Sequence, residues 1–365
     1  MSAAPSRLAG PAERASRRRS AASGSGPGVT LADVAREAGV SSATASRAIS
    51  GRGPIAAQTR ARVLAAVAKL EFEPSPLGRS LRMQTTGLVG VVVPDIADPF
   101  YAAAVKGIQH RLEASGYHVA LVDTDERVDR ETAAIRSLLV ARVDGLVVCT
   151  SGIAGSWLAD AVRRSRTPVV FFDNAVAGVG VGSVTLANED GMRLLVDHLV
   201  VAHGHRRVAY VGGRLSETSG VERLEGFRIG LLAAGLSPVD AYVRMGDWTP
   251  ASGARETEAL LALDEGPTAI VYANARMAFA GLHVLHERGV RVPDGIALAS
   301  FDDAEGGALL DPPLTALVRR DQQIGDLAGS LILRVLAYAE AGPMHVRIPM
   351  ELALRRSCGC AGVTA

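Results

Sequence analysis

Three cysteines in 365 residues are too few for a disulfide framework, and a chain of this length fills a core without one. Cys149 ends an apolar run and reads as a small buried hydrophobe. Cys358 and Cys360 form a C-x-C near the carboxyl end, a spacing that can bind metal. No His or Cys lies near them in sequence, which favours a reduced tail over 358–365. No apolar run reaches the roughly 18 residues a membrane span needs. The amino-terminal stretch holds Arg7, Arg14, Arg17, Arg18 and Arg19 with no apolar segment after them, so it does not read as a secretory signal, and the expected place is the cytoplasm. Catalytic motifs are lacking too. There is no Ser-His-Asp set, phosphate loop or dinucleotide fingerprint, and the GVGVGS run at 178–183 is too irregular to be one. His203 and His205 have the look of a metal pair but sit in a loop just before a strand. The expectation is a protein that is not an enzyme and has no cofactor, metal site or membrane partner.

Lysine is also scarce: Lys69 and Lys106 are the two among 39 basic residues. Arginine therefore supplies the positive charge, and it is unevenly spread. Residues 1–82 carry 13 Arg/Lys against 5 Asp/Glu, a net +8, so within a formal total of +1 the remainder carries −7. A basic amino-terminal end on an acidic body suggests a nucleic-acid-binding module joined to a domain that does not touch nucleic acid. Residues 1–28 are Ala, Ser, Gly, Pro and Arg, a composition expected to be disordered. The hydrophobic content of 48% is ample for a core in the rest of the chain.

Residues 30–50, TLADVAREAGVSSATASRAIS, contain two short helical patterns around a glycine. Leu31, Val34, Ala35 and Ala38 have the i, i+3, i+4, i+7 spacing of one buried face. Thr30 can cap that helix, with Asp33 near the positive end of its dipole. Gly39 permits the positive φ that ends a helix. Ser41 can cap a second helix, with Ala45, Ala48 and Ile49 on one side and Ala43, Arg47 and Ser50 on the other. A helix, a tight turn and a second capped helix make the helix-turn-helix pattern, whose second helix enters the DNA major groove. A third helix is expected from about Ala57 to Leu70, with Val63, Val67 and Leu70 inward and no capping side chain at Ala56.

This stretch resembles the DNA-binding headpiece of the lactose/galactose-repressor (LacI/GalR) family, with Ala45 where Val is usual. The resemblance places Ser42, Ala43 and Arg47 at the base-reading positions. Arg is suited to guanine O6 and N7, and Ala43 to a thymine methyl. Thr30, Ser41, Thr44, Ser46 and Ser50 fall on the phosphate side, where contacts fix register without reading sequence. PSPLGRSLR at 74–82 resembles the family hinge, with Ser75 for Asn and Gly78 for Ala. In that family the hinge folds into a helix on operator DNA and wedges a Leu into the minor groove; the Leu maps to Leu81.

From Gly87 the rhythm changes. The buried run LVGVVVP is followed by HVALVD, GLVVCT, PVVFFD, RRVAYVGG, AIVYA and IALASFDD, with helical stretches between them such as 102–115 and 130–140. Apolar strands separated by helices imply parallel sheets covered on both faces, and ligands bind at the carboxyl ends of such strands. Polar residues stand there: Asp95, Asp123, Thr150, Asp173, Asn174, Asn274, Asp302 and Asp303. PDIADPFY, RVDGLVV, RLEGFRIGLLAAGL, RVPDGIALASFDD and DPPLTAL resemble segments of the same family in order. The resemblance implies an all-α helix-turn-helix headpiece at 29–73 and a hinge at 74–84. It implies next an α/β body at 85–357 like the periplasmic binding proteins, made of two doubly wound parallel-sheet subdomains. Their expected extents are about 87–186 with 319–343, and about 187–318 with 344–357. Carry-over puts Asn174, Arg223, Trp248, Asn274 and Asp302 in a cleft between them, with Phe100 and Tyr101 at its mouth; the strand-end pattern adds Asp123 and Thr150 as effector contacts. Ala187 and Ala275 stand where the family often has Asp, which removes acceptors for ligand hydroxyls.

The resulting expectation is a homodimeric transcriptional regulator, with repression the expected mode. It would bind double-stranded operator DNA and answer a small-molecule effector such as a sugar. The alternative is a cytoplasmic small-molecule-binding protein whose headpiece no longer reads DNA.

Overall fold

The computed structural model describes residues 29–51, 53–72, 85–152, 155–338 and 342–361. Leu81, the rest of the hinge at 74–82 and the arginine run at 17–19 lie outside them. The chain divides into two units, Met1–Gln84 and Thr85–Ala365.

In the first unit α1 spans Leu31–Glu37, α2 Ser42–Ser50 and α3 Ala57–Lys69. A capping box starts α1: Asp33 N donates to Thr30 Oγ1 at 3.3 Å while Thr30 N donates to Asp33 Oδ2 at 3.0 Å. Gly39 takes φ +65° in the turn, and Ser41 Oγ caps α2 by accepting from Thr44 N at 3.2 Å. Val34, Ala35, Ala38, Ala45, Ala48, Val63, Ala66 and Phe72 form a core of mostly small side chains. Val67 and Leu70 are only half-buried, and Ala66 takes the inner place expected for them. Small residues at the α1–α2 contact let the two helices approach closely.

The expected weak point is present. Ala56 makes no side-chain cap to α3, although its extended backbone (φ −55°, ψ 133°) is compatible with one. Ala56→Asp should therefore stabilise the helix start by about 1 kcal/mol, the usual worth of a cap. Amide exchange at residues 58–60 should slow about five-fold. Unchanged exchange there would mean that this turn opens only with the whole unit.

The second unit contains, in order, β1 Leu88–Val93, α4 Pro99–Glu113, β2 His118–Asp123, α5 Val128–Val140, β3 Gly145–Val148, α6 Gly155–Ser165, β4 Val169–Phe172, β5 Gly182–Leu186 and α7 Asn188–Asp197. A π-turn at His198–Ala202 follows, then β6 Val208–Gly212, α8 Thr218–Ala233, β7 Val243–Met245, α9 Pro250–Leu261, β8 Ala269–Tyr272 and α10 Ala275–Glu287. The last elements are β9 Ala297–Ser300, β10 Thr315–Val318, α11 Asp321–Ala337, β11 Met344–Ile348, β12 Glu351–Ala353 and a 3₁₀ turn at Arg356–Cys358. Helices α4 and α5 start a few residues earlier than their apolar patterns suggest. Asp98 caps α4 by accepting from Phe100 N at 2.9 Å, with Pro99 in its first turn.

Two six-stranded sheets result, ordered β11-β5-β4-β3-β1-β2 and β12-β10-β9-β8-β6-β7. The first is parallel throughout; in the second, β12 alone runs antiparallel, beside β10. The central strands are apolar end to end and fully buried, as helix-covered parallel strands must be. Helix α11 returns to the first sheet and packs on α4, where Gly107 and Gly325 meet. A side chain at either would overlap the backbone of the other helix. The two subdomains thus exchange chain three times: between β5 and α7, between β10 and α11, and between β11 and β12.

That last crossing corrects one expected boundary. Residues 344–348 pair with β5 of the first sheet, so they belong to the first subdomain and the chain crosses back at 349–350. The reason is geometric: α11 packs on the first sheet, and the strand after it completes that sheet's open edge. The carboxyl end differs as well. Cys358 lies in the final 3₁₀ turn and is 1% exposed, and Cys360 is half-buried, so neither belongs to a solvated tail. No helix among the described residues is long and apolar enough to cross a membrane.

Candidate functional site

In the first unit, burial of Ala45 and Ala48 against α1 and α3 turns the opposite side of α2 outward. Ser42, Ala43 and Arg47 are all exposed there. Several neighbouring hydroxyls are already engaged. Thr30 Oγ1 donates to Asp33 Oδ2 at 2.6 Å, Ser41 Oγ lies 2.9 Å from Thr44 Oγ1, and Ser50 Oγ donates to the Arg47 carbonyl at 3.3 Å. A phosphate reaching Thr30 or Ser50 has to take over that proton. Thr44 and Ser46 are half-buried.

In the second unit, strand ends from both sheets open onto one partly open cavity. Of the residues expected there, Phe100, Tyr101, Arg223, Trp248, Asn274 and Asp302 line it. Three others do not. Asp123 ends an edge strand, and its carboxylate holds the turn through Ile96 N and Asp125 N, both at 2.8 Å. Thr150 is 2% exposed, and its Oγ1 accepts from Gly152 N at 3.1 Å. Asn174 is used as a clamp between the subdomains. Its Oδ1 accepts from Ser219 N at 2.9 Å and Thr218 Oγ1 at 3.2 Å, while its Nδ2 donates to Glu217 Oε2 at 3.2 Å. A polar side chain at a strand end is as well used in ordering the next loop as in meeting a ligand.

The lining residues differ in how far they are committed. Asp302 Oδ1 accepts from Arg319 Nη1 at 2.8 Å, and Arg319 Nε donates to Asp321 at 2.9 Å. Arg319 also lies over the Phe100 ring, 4.0 Å from its centre, so its position depends on both subdomains. Arg223 is 3% exposed, and no carboxylate among the described residues makes a salt bridge with it. It donates to Asn188 Oδ1 at 2.9 Å and to the Ala273 carbonyl at 2.6 Å, and rests on the Phe301 ring at 3.8 Å. Trp248 is held in place by its Nε1 bond to Glu217 Oε2 at 2.9 Å. It adopts φ +73°, and Gly213 makes room for its ring. Such strain in a bulky residue persists only where its surroundings enforce it.

Two acidic groups at the cavity were not among the expected contacts. Asp173, at φ +58° just beyond β4, is buried, and its Oδ1 has no hydrogen-bond partner among the described residues. Burial pushes its carboxyl above the usual range, with Arg223 and Arg319 opposing. Glu217 is 6% exposed; burial pushes it up to about 7, partly offset by Arg214. Asp173 was legible as a polar strand end, but Glu217 precedes α8 in a loop with no motif to mark it. Across the mouth, Arg214 meets Glu126 at 2.8 Å, and Arg276 lies 3.3 Å from Asp95 and 3.6 Å from Asp98. Each pair joins the two subdomains, and each is partly exposed and so individually weak.

Glu217 makes the body pH-sensitive. Its ordinary value is 4.5 and its folded value about 7, so the folded state holds the proton more tightly. Stability is then fully present below 4.5 and is lost as pH rises through 7. Glu217→Gln should remove this loss. Its melting temperature relative to the parent should rise between pH 5 and pH 8, by at most the order of 3 kcal/mol in stability. A constant difference over that range would assign the titration elsewhere.

Residues 30–75 match the family model described as bacterial regulatory proteins, lacI family. Residues 86–356 match that of periplasmic binding proteins and the sugar-binding domain of the LacI family. The catabolite control protein A of Priestia megaterium is 31% identical over 330 residues, covering 90% of this chain and 99% of its own. A transcriptional repressor PurR of Aliivibrio salmonicida is 30% identical over 304 residues, covering 83% and 91%. Among solved structures, the lac repressor dimer bound to operator and an anti-inducer superposes with a TM-score of 0.80 at 29% identity, covering 91% of this chain and 99% of that one. The transcriptional regulator CelR with cellobiose superposes with a TM-score of 0.69 at 28% identity, covering 90% and 99%.

Proposed function

The chain belongs to the LacI family of bacterial regulatory proteins, and from that premise we propose that it is a DNA-binding repressor whose operator affinity is set by a small-molecule effector in the cleft of its body. It works in the cytoplasm as a homodimer on a pseudo-palindromic operator, and it returns its effector chemically unchanged. Arg47 reads guanine, Ala43 touches a thymine methyl, and Ser42 completes the reading set. Thr30, Ser41, Thr44, Ser46 and Ser50 face phosphates, and Leu81 supplies the minor-groove wedge.

The effector half of this reading rests on one juxtaposition. Among the described residues, a buried guanidinium without a salt-bridge partner and a buried carboxylate oxygen without a donor line the same cavity, together with Trp248 and Phe100. Arg223 asks for an acceptor and Asp173 for a donor, and a ligand hydroxyl is both. A polyhydroxyl molecule such as a sugar or a related metabolite answers that set, with its apolar face on the rings. Ala187 and Ala275, where the family often has Asp, are not among the residues that line the cavity.

The test is to incubate the full chain with sheared genomic DNA and sequence what it retains. A shared pseudo-palindrome, released or tightened by one metabolite class in a screen, is the expected result. Retention without any common motif would leave a non-specific binder and end the reading.

A further inference from the structure

Four side chains far apart in sequence converge at the end of the second subdomain opposite the cleft. His198 opens the π-turn after α7 and His203 follows it, and Cys358 and Cys360 flank Gly359 at the carboxyl end. One nitrogen or sulfur of each lies within 4.8 Å of all the others. His203 Nε2 is 3.1 Å from His198 Nε2, and Cys358 Sγ is 3.3 Å from His198 Nε2. Cys360 Sγ is 3.6 Å from His198 Nε2 and 3.4 Å from His203 Nε2.

We propose that His198, His203, Cys358 and Cys360 form a structural zinc site that staples the carboxyl-terminal segment to the turn after α7.

The edge lengths carry this assignment. A tetrahedral ion with Zn–N of about 2.0–2.1 Å and Zn–S of about 2.3 Å separates two nitrogens by about 3.3 Å and a nitrogen from a sulfur by about 3.5 Å. The four interatomic distances above fall within a few tenths of an ångström of those values. Two thiolates and two neutral imidazoles match the charge and softness of Zn²⁺ and leave no open coordination position, as a structural site requires. Binding is Zn²⁺ + 2 RSH → Zn(SR)₂ + 2 H⁺; two S–H bonds break, two Zn–S bonds form, and no electron is transferred.

The backbone is shaped to this purpose at both ends. In an α-helix, residues five apart lie about 140° apart around the axis, because each step is 100°. The wider i→i+5 turn at His198–Ala202 brings His198 and His203 to the same side, with ring centres 4.7 Å apart. Gly359, at φ +102°, folds the C-x-C back on itself, and a side chain there would crowd the His203 ring. Around the cluster, Thr315 Oγ1 donates to Cys358 Sγ at 3.0 Å, a bond that orients the sulfur. His205 takes no part. Its Nδ1 is 3.0 Å from Thr268 Oγ1, so the pair H-x-H suggested by sequence is replaced by His198 with His203.

Thr315 opens β10 while Arg319, at the effector cleft, follows its end. The ion therefore acts on stability and not on the ligand. It fixes the strand β12, the antiparallel edge of the second sheet, through the segment that follows it.

The experiment uses the tag-free full chain, stripped with a chelator under reducing conditions. Zn²⁺ is then titrated against a chromogenic chelator, and Co²⁺ is added in parallel as a spectroscopic probe. One equivalent of zinc per chain, intense visible d–d bands with sulfur-to-cobalt charge transfer, and a melting temperature that falls on chelation are expected. Cys360→Ser and His203→Asn, both at half-buried positions, should each weaken zinc binding by about 100-fold and abolish the effect of chelation. Alkylation supplies a check independent of variant folding: zinc should protect the half-buried Cys360 in the parent chain. Substoichiometric binding, a pale octahedral cobalt spectrum, or unaltered affinity in both variants would overturn the site.

Discussion

Arg47→Ala should erase the preference of this protein for its operator over scrambled duplex while leaving much of its general affinity for DNA. The side chain is exposed on α2, and its neighbours at the other two reading positions, Ser42 and Ala43, are small. Little else on that surface can form a bidentate contact with a base. A good bidentate Arg–guanine pair is worth about 1–3 kcal/mol against the wrong base, and a dimer engages two half-sites. The expected loss of discrimination is thus about 2–6 kcal/mol per operator. The measurement is a competition titration at several salt concentrations. If Arg47 reads a base, operator and scrambled affinities converge. If it touches a phosphate, both fall together and the salt slope shrinks by about one for each phosphate no longer neutralised. That second outcome would remove the reading role.

Arg223→Ala should disconnect the two ends of the protein. The cleft contains groups from both subdomains: Phe100, Tyr101 and Asp173 from the first, Arg223 and Trp248 from the second. A ligand bridging them favours one closure angle, and it can shift the equilibrium only by its difference in affinity for the two states, commonly about 1–3 kcal/mol. Without Arg223 that difference should vanish, while effector-free operator affinity stays within a few-fold of the parent. The variant also loses stability, since the Ala273 carbonyl and Asn188 Oδ1 lose a donor and Asp173 loses a neighbouring cation. Arg223→Lys separates the two effects. It keeps the charge but not the planar fork, so effector response should weaken with a smaller fall in melting temperature. An Ala variant that still answers the effector would make Arg223 a packing residue.

Asp302 shows how a residue can be in the right place with a different task. Strand-end position and resemblance both put it in the cleft, and it is there. Its carboxylate is held by Arg319, a residue that no motif marked. Asn174 is similar, drawn off into a clamp with Ser219 and Glu217. In both cases the placement followed from the strand pattern, while the partner lay more than fifteen residues away in sequence.

The elements that sequence determined by itself are those whose physics is local. Caps at Thr30 and Ser41, the left-handed turn at Gly39 and the apolar stripe of α1 depend on neighbours within a helical turn or two. So do the buried central strands, whose unbroken apolar runs have no other stable place in water. Three of the four edge strands were less legible: β7 and β12 have three residues each, and β11 is mostly exposed with no apolar run. Their existence depends on an adjacent strand offering unpaired backbone groups. The tertiary structure alone decided how side chains at strand ends divide between ligand and loop, and that Asp173 retains an oxygen unpaired among the described residues. It alone brought His198 and His203 to Cys358 and Cys360 across about 160 residues. Hydrogen-bond and metal geometry act over about 2–4 Å in space, whatever the separation along the chain.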